Sequence, residues 1–190
     1  MTRIAIILGS TRPHRKGEPI AQWVLDTASP RDDADFELID LRDHPLPHFD
    51  EAVPPMFGPS VNAHTRAWAE RLALFDGFII VTPEYNGSAP GVLKNALDHA
   101  FAEWVNKAVG FVSYGVDGGV RSVQQLRLVC STLGMADVGY QVSISVLTDF
   151  ENTATFVPTD RQRGALSKTL DQTIAWSNAL APLRTALVNS

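Results

Sequence analysis

Thr82-Pro83-Glu84-Tyr85-Asn86-Gly87-Ser88-Ala89-Pro90-Gly91-Val92-Leu93-Lys94-Asn95-Ala96-Leu97-Asp98-His99-Ala100 follows directly on the apolar run Gly77-Phe78-Ile79-Ile80-Val81. The run reads as a buried strand. After a turn rich in Pro, Asn and Gly, the residues Val92, Leu93, Ala96, Leu97, Ala100, Phe101 and Trp104 recur at helical spacing along one face. Strand, irregular loop and helix in that order put the loop at the carboxyl edge of a parallel sheet, where open α/β sheets bind ligands. Pro83 holds Thr82 extended and has no N–H to donate. Gly87 takes a positive φ freely and Asn86 tolerates one, so successive amides can turn toward a ligand. Tyr85 adds a flat face. Asn-Gly is also the strongest short hairpin signal, but the helical spacing after Gly91 favours a ligand loop over a hairpin.

Upstream, Arg3-Ile4-Ala5-Ile6-Ile7-Leu8-Gly9 is a continuous apolar run, as expected of a central parallel strand covered on both faces. Ser10-Thr11-Arg12-Pro13-His14-Arg15-Lys16-Gly17-Glu18-Pro19 then leads into a helix through about Ala28, with Pro19 suited to its first turn. This basic, hydroxyl-bearing loop offers the free N–H groups and positive dipole end of a helix start, with the side chains of Ser10, Thr11 and Arg12. All suit a phosphate. Gly9 and Gly17 do not form a dinucleotide fingerprint, and Lys16 is followed by Gly17 rather than Ser or Thr, so a triphosphate loop is absent too. A terminal monophosphate fits the loop; a solvated basic turn is the alternative.

Asp35–Leu41 alternates as a second strand, with Asp40 near its end either a ribose contact or a surface carboxylate. Arg42–Asn62 contains five prolines, which exclude a helix, yet Leu46, Phe49, Val53, Met56 and Phe57 make it too apolar for a free linker. His44, His48 and Asp50 lack a helical face that would group them as metal ligands, and no metal is expected. A helix bearing Trp68, Leu72 and Phe75 leads to the third strand. The fourth, Ala108–Ser113, ends in the glycine-rich Tyr114-Gly115-Val116-Asp117-Gly118-Gly119-Val120-Arg121. A helix from about Arg121 to Leu133, a fifth strand Tyr140–Leu147, a polar connector Thr148–Thr159 and a last helix Asp160–Leu187 complete the chain. Pro182 is expected to kink or shorten that helix.

The alternation of strand and helix implies a single α/β domain over residues 1–190, a three-layer α/β/α sandwich. A flavodoxin-like five-stranded parallel sheet of order 2-1-3-4-5 would set the first and third strands side by side at the switch point, where FMN sits in that fold. Three strand-end loops then converge there. With 190 residues, 45% hydrophobic and 19% charged, the chain can bury a sizeable core. A net charge of −5 argues against a nucleic-acid partner. Neither a signal peptide nor a membrane span is apparent, and the single cysteine, Cys130, reads as a buried thiol in a reducing, cytoplasmic setting.

Gly9-Ser10-Thr11-Arg12, Pro83-Glu84-Tyr85-Asn86-Gly87-Ser88 with Leu93-Lys94-Asn95-Ala96-Leu97-Asp98, and Ser113-Tyr114-Gly115 with Gly118-Gly119 together resemble the NADPH-dependent FMN reductase family, which includes quinone, azo and chromate reductases. The resemblance runs from Ile4 to about Leu147. It implies an FMN phosphate held by Ser10, Arg12 and the turn at Gly17 and Glu18. It implies an isoalloxazine lined by Pro83, Glu84, Tyr85, Asn86 and Gly87, with Ser113, Tyr114 and Gly115 at its other edge. NADPH or NADH would deliver a hydride to flavin N5, and an acceptor such as a quinone, azo compound, metal oxyanion or free flavin would then take its place. No catalytic side chain is implied, since the cofactor carries the redox chemistry. The family also implies a homodimer or homotetramer, for which the apolar Leu46–Phe57 loop would supply contacts. Many relatives carry Ser-x-Asn where this chain has Lys16-Gly17-Glu18-Pro19, and Asp117 adds a charge without an assigned role. A flavodoxin-type electron carrier and a non-flavin binding module on the same fold are the other readings.

Overall fold

The computed structural model describes residues 1–152 and 155–188. In chain order it comprises β1 (Thr2–Leu8), α1 (Gly17–Ala28), β2 (Ala34–Asp40), a 3₁₀ turn (Leu41–Asp43), α2 (Ala63–Ala73), β3 (Gly77–Pro83) and α3 (Gly91–Asp98). It continues with β4 (Ala108–Gly115), α4 (Val120–Thr132), β5 (Ala136–Ser145), the short strands β6 (Phe150–Glu151) and β7 (Thr155–Phe156), and α5 (Asp160–Val188). The main sheet has the order β2-β1-β3-β4-β5 and is parallel throughout. The fold is flavodoxin-like, as expected.

The apolar runs follow from two-sided burial. Successive side chains of a strand point to opposite faces. Ala5, Ile7, Phe78 and Ile80 therefore pack against Trp68 and Leu72 of α2, Leu93 and Leu97 of α3, and Leu126 of α4. Their alternates Ile4, Ile6, Leu8, Ile79 and Val81 pack against Ile20 and Val24 of α1 and Leu166, Leu170 and Ile174 of α5. Neither face is free for a polar residue, so alternation disappears from the sequence.

Several boundaries differ from expectation. α3 stops at Asp98, although apolar spacing continues to Trp104. Its last carbonyls are taken by indoles: Trp68 Nε1 donates to Ala96 O at 2.8 Å and Trp104 Nε1 to Leu97 O at 3.1 Å. Ala100 and Trp104 are still buried, but from the turns that follow. β5 runs over Ala136–Ser145 rather than Tyr140–Leu147, because a register shift opposite Val109 and Phe111 lets Ala136 and Asp137 pair before the irregularity. The connector at 148–159 contains the small antiparallel pair β6–β7. Pro182 does not end α5, which continues to Val188. Pro182 and Asn178 are exposed, so the carbonyl left without a helical N–H faces water.

The Pro-rich loop is irregular but tied down. Asn95 of α3 accepts from Phe49 N at 2.9 Å and donates to Pro47 O at 2.7 Å. His99 Nε2 donates to Pro47 O at 3.1 Å, while its Nδ1 meets Thr65 Oγ1 at 3.0 Å. Glu51 accepts the N–H groups of Val61 and Asn62 at 3.1 and 3.0 Å. Asp50, His64 and His99 bring three ligand-type atoms within 4.8 Å of one another. Both nitrogens of His99 are already bonded within the protein and His64 Nε2 is paired with Asp50 at 2.9 Å, so the cluster is a clasp for the loop.

Candidate functional site

Three loops meet above the carboxyl ends of β1, β3 and β4. The first leaves β1 at Gly9, whose N–H donates to Val81 O at 2.9 Å. A Cβ there would stand 2.9 Å from Leu93 Cδ2 and 3.1 Å from Val81 O, so only glycine allows α3 and β3 to come this close. Ser10 is buried, and its hydroxyl lies 2.9 Å from Tyr85 Oη. That bond joins the first loop to the second. Arg12 N donates to Ser10 Oγ at 3.4 Å, and the Arg12 side chain is exposed at the rim.

Beneath the loop lies a residue that sequence reasoning passed over. Arg15 has a side chain only 1% exposed. It donates to Ser10 O and, through Nη1 and Nη2, to both oxygens of Asp40, with Nη1 2.8 Å from Oδ1. Asp40 is therefore the counter-ion of the loop, neither a ribose contact nor a free surface carboxylate. Arg42 braces the same loop from outside, donating to Thr11 O at 3.3 Å and Arg12 O at 2.7 Å. The signal available was the run Arg12, Arg15, Lys16 against an acid at a strand end, which does not say which cation turns inward.

α1 begins at Gly17 with no side-chain cap from Lys16, so the first-turn amides at Gly17 and Glu18 are not capped by that residue. The Glu18 carboxylate points outward, 61% exposed and 3.8 Å from Arg15 Nε.

The second loop is a tight turn built on Asn86 and Gly87, at φ 51° and 81°. Tyr85 N donates to Ser88 O at 2.8 Å and Ser88 N to Tyr85 O at 3.1 Å. The hairpin signal is thus realised in miniature, as one antiparallel bridge with no second strand after it. Glu84 is turned away from the turn: its N–H donates to Tyr114 O at 2.9 Å, and its carboxylate accepts from Arg121 N at 3.0 Å and Arg121 Nη1 at 2.7 Å. Arg121 also reaches Asp117 at 2.9 Å, which gives that charge a partner.

The third loop departs from expectation. Ser113 and Tyr114 do not turn their side chains to the sheet edge beside Gly115. The Ser113 hydroxyl donates to Gly118 O at 2.7 Å and holds the loop closed. Gly118 and Gly119 sit at φ 77° and 73°, and a Cβ on Gly119 would lie 2.7 Å from Tyr114 N. The Tyr114 ring points the other way, into the core beneath α1. Alternation decides this: Tyr114 follows Val112 on the face that α1 covers.

Residues 2–149 match the family model described as NADPH-dependent FMN reductase. The chain belongs to this family. An NAD(P)H-dependent FMN reductase of Schizosaccharomyces pombe is 43% identical over 135 residues, covering 70% of this chain and 68% of that protein. A 2-hydroxy-1,4-benzoquinone reductase of a Burkholderia species is 34% identical over 140 residues, covering 69% and 71%. Among solved structures, the flavoenzyme NAD(P)H:(acceptor) oxidoreductase FerB of Paracoccus denitrificans aligns with a TM-score of 0.73 at 19% identity, over 94% of this chain and 98% of that one, a likeness of fold. The chain is accordingly an FMN-dependent oxidoreductase using NAD(P)H.

The first loop fits the phosphate of this FMN reductase family's cofactor. Four buried side-chain polar atoms among the described residues have no hydrogen-bond partner, and two of them, Arg15 Nε and Tyr114 Oη, belong to residues around this loop. Buried orphans of this kind call for an absent partner. Both are donors, as an anion requires.

Proposed function

We propose that this chain is a single FMN-binding domain over residues 1–190, which oxidises NAD(P)H and reduces a small-molecule acceptor of the quinone or azo class. Relatives named for such acceptors support the acceptor class. Ser10, Arg12 and the first-turn amides at Gly17 and Glu18 hold the phosphate. Tyr85, Asn86 and Gly87, backed by Pro83 and Glu84, line the ring, with Gly115 at its far edge. The observation that carries this reading is the Ser10–Tyr85 hydrogen bond, which makes the phosphate loop and the ring loop one surface.

When bound, FMN supplies two-electron redox chemistry, accepting from the nicotinamide and donating to the acceptor. The residues bind and orient. Arg12 adds positive charge at the rim, the helix start directs amides at the phosphate, and the Asn86-Gly87 turn presents backbone at a fixed height. None of the site side chains transfers a proton in this scheme. We infer in addition a cytoplasmic homodimer or homotetramer. Phe57 and Met56 of the Pro-rich loop, 76% and 56% exposed, offer apolar surface for a second copy. No helix among the described residues is long and apolar enough to cross a membrane.

The test is a visible absorption spectrum of the purified chain with FMN, before and after anaerobic NADPH or NADH. Flavin bands that co-elute with the protein and bleach promptly are expected. Bands that persist with both nucleotides would indicate an electron carrier. No retained or titratable flavin would overturn the reading.

A further inference from the structure

Gly17 and Tyr114, remote in sequence, share one small volume. A Cβ on Gly17 would stand 2.5 Å from Tyr114 Oη, 2.8 Å from Leu8 Cδ1 and 3.1 Å from Tyr114 Cζ. The tyrosine hydroxyl thus fills the space that a side chain at the first residue of α1 would take. Gly17 is not among the positive-φ glycines, so packing rather than backbone conformation calls for glycine there.

Tyr114 is 4% exposed, and its hydroxyl makes no hydrogen bond. The Ser10 hydroxyl interacts with it but does not meet it in hydrogen-bond geometry, and is itself joined to Tyr85 at 2.9 Å. Burial, and next the neighbouring Tyr85, push the Tyr114 hydroxyl well above the usual phenol range, so it stays protonated and can donate. Leaving such a donor buried and unpaired is costly. Arg15 Nε, the second orphan, lies on the same loop.

We propose that Tyr114 is a ligand of the FMN phosphate monoester, its hydroxyl occupying the space a side chain at position 17 would take, and that Gly17 is present to admit it. The inference rests on the FMN reading of the site. It accounts for two observations together: Lys16-Gly17-Glu18-Pro19 carries no hydroxyl, and the Tyr114 ring is turned from the ring edge into the core.

The test compares the affinity of the apoprotein for FMN and for riboflavin, which lacks the phosphate, by quenching of flavin fluorescence. Tyr114→Phe keeps the ring and removes only the hydroxyl. It should weaken FMN by about 10-fold or more, as for loss of a hydrogen bond to a charged group, and leave riboflavin unchanged. Gly17→Ala should weaken FMN in the wild type and much less in the Tyr114→Phe background, since both changes remove one contact. Equal weakening of both flavins by Tyr114→Phe would mark a packing role, and unchanged FMN affinity would mark no role; either overturns the proposal. A wild-type protein that binds neither flavin would overturn the site reading itself, and this proposal with it.

Discussion

Arg15 and Asp40 are joined side chain to side chain beneath the first loop, with Nη1 2.8 Å from Oδ1 and Nη2 bonded to Oδ2. The Arg15 guanidinium is out of water, and Asp40 is what makes that tolerable. Removing Asp40, which is itself partly exposed, leaves the buried cation only the more distant Glu18 carboxylate, at a cost of about 2 kcal/mol. Asp40→Ala should lose about that much in urea unfolding, and weaken FMN because Arg15 also holds Ser10 O.

The same pair sets an acid limb. Burial pushes the Asp40 carboxyl up, but hydrogen bonds from Arg15 and the Arg42 amide outweigh it and leave it below the ordinary value of 3.8. A depressed carboxyl stabilises fully above its unfolded value, and that contribution is lost as pH falls through the folded one, below about 4. Stability measured from pH 6 down to 2 should fall less steeply in Asp40→Asn than in the wild type.

Glu84 caps α4 from a distance. Gly119, at the helix start, has no side chain to accept the first amides, and Glu84 accepts Arg121 N at 3.0 Å instead. Its pair with the exposed Arg121 side chain is a rim contact. Glu84→Ala should therefore cost about 1 kcal/mol as a lost cap. Arg121→Ala, which keeps that backbone bond, should lower the unfolding midpoint less.

Lys107 is 6% exposed and donates to Leu72 O at 3.0 Å, closing the end of α2 beside a cleft of about 640 Å³ at the amino edge of the sheet. Burial, then the charge of Arg184, lowers its pKa from 10.5 to about 8. The fold here opposes the charged form. The penalty is full below pH 8 and is relieved as pH rises from about 8 to 10.5. The stability of the wild type relative to Lys107→Met should rise across that window, by on the order of 3 kcal/mol.

Cys130 is buried, and its burial pushes the thiol up to about 12. The thiolate, not the thiol, reacts. A disulfide reagent at pH 8 should leave the native protein untouched and label one thiol per chain in denaturant.

Sheet and site were legible to different depths. Ile4–Leu8, Phe78–Val81 and Ala108–Val112 announce buried strands because two-sided burial writes itself into consecutive residues. Asn86 and Gly87 announce a positive-φ turn because few residues tolerate one. Such signals are local, and with the alternation of elements they were enough to reach the parallel sheet and the three loops at its carboxyl edge.

Pairings across the chain were not legible. Nothing in the order of residues says that Arg15 rather than Arg12 turns inward to Asp40, or that Glu84 serves the start of α4. Nor does it say that Trp68 and Trp104 end α3 by taking its carbonyls, or that the Tyr114 hydroxyl fills the space above Gly17. A sequence carries the period of its strands and helices and the dihedral limits of its glycines and prolines. Which distant donor meets which acceptor depends on close packing of whole layers, and that exists only once the chain has folded.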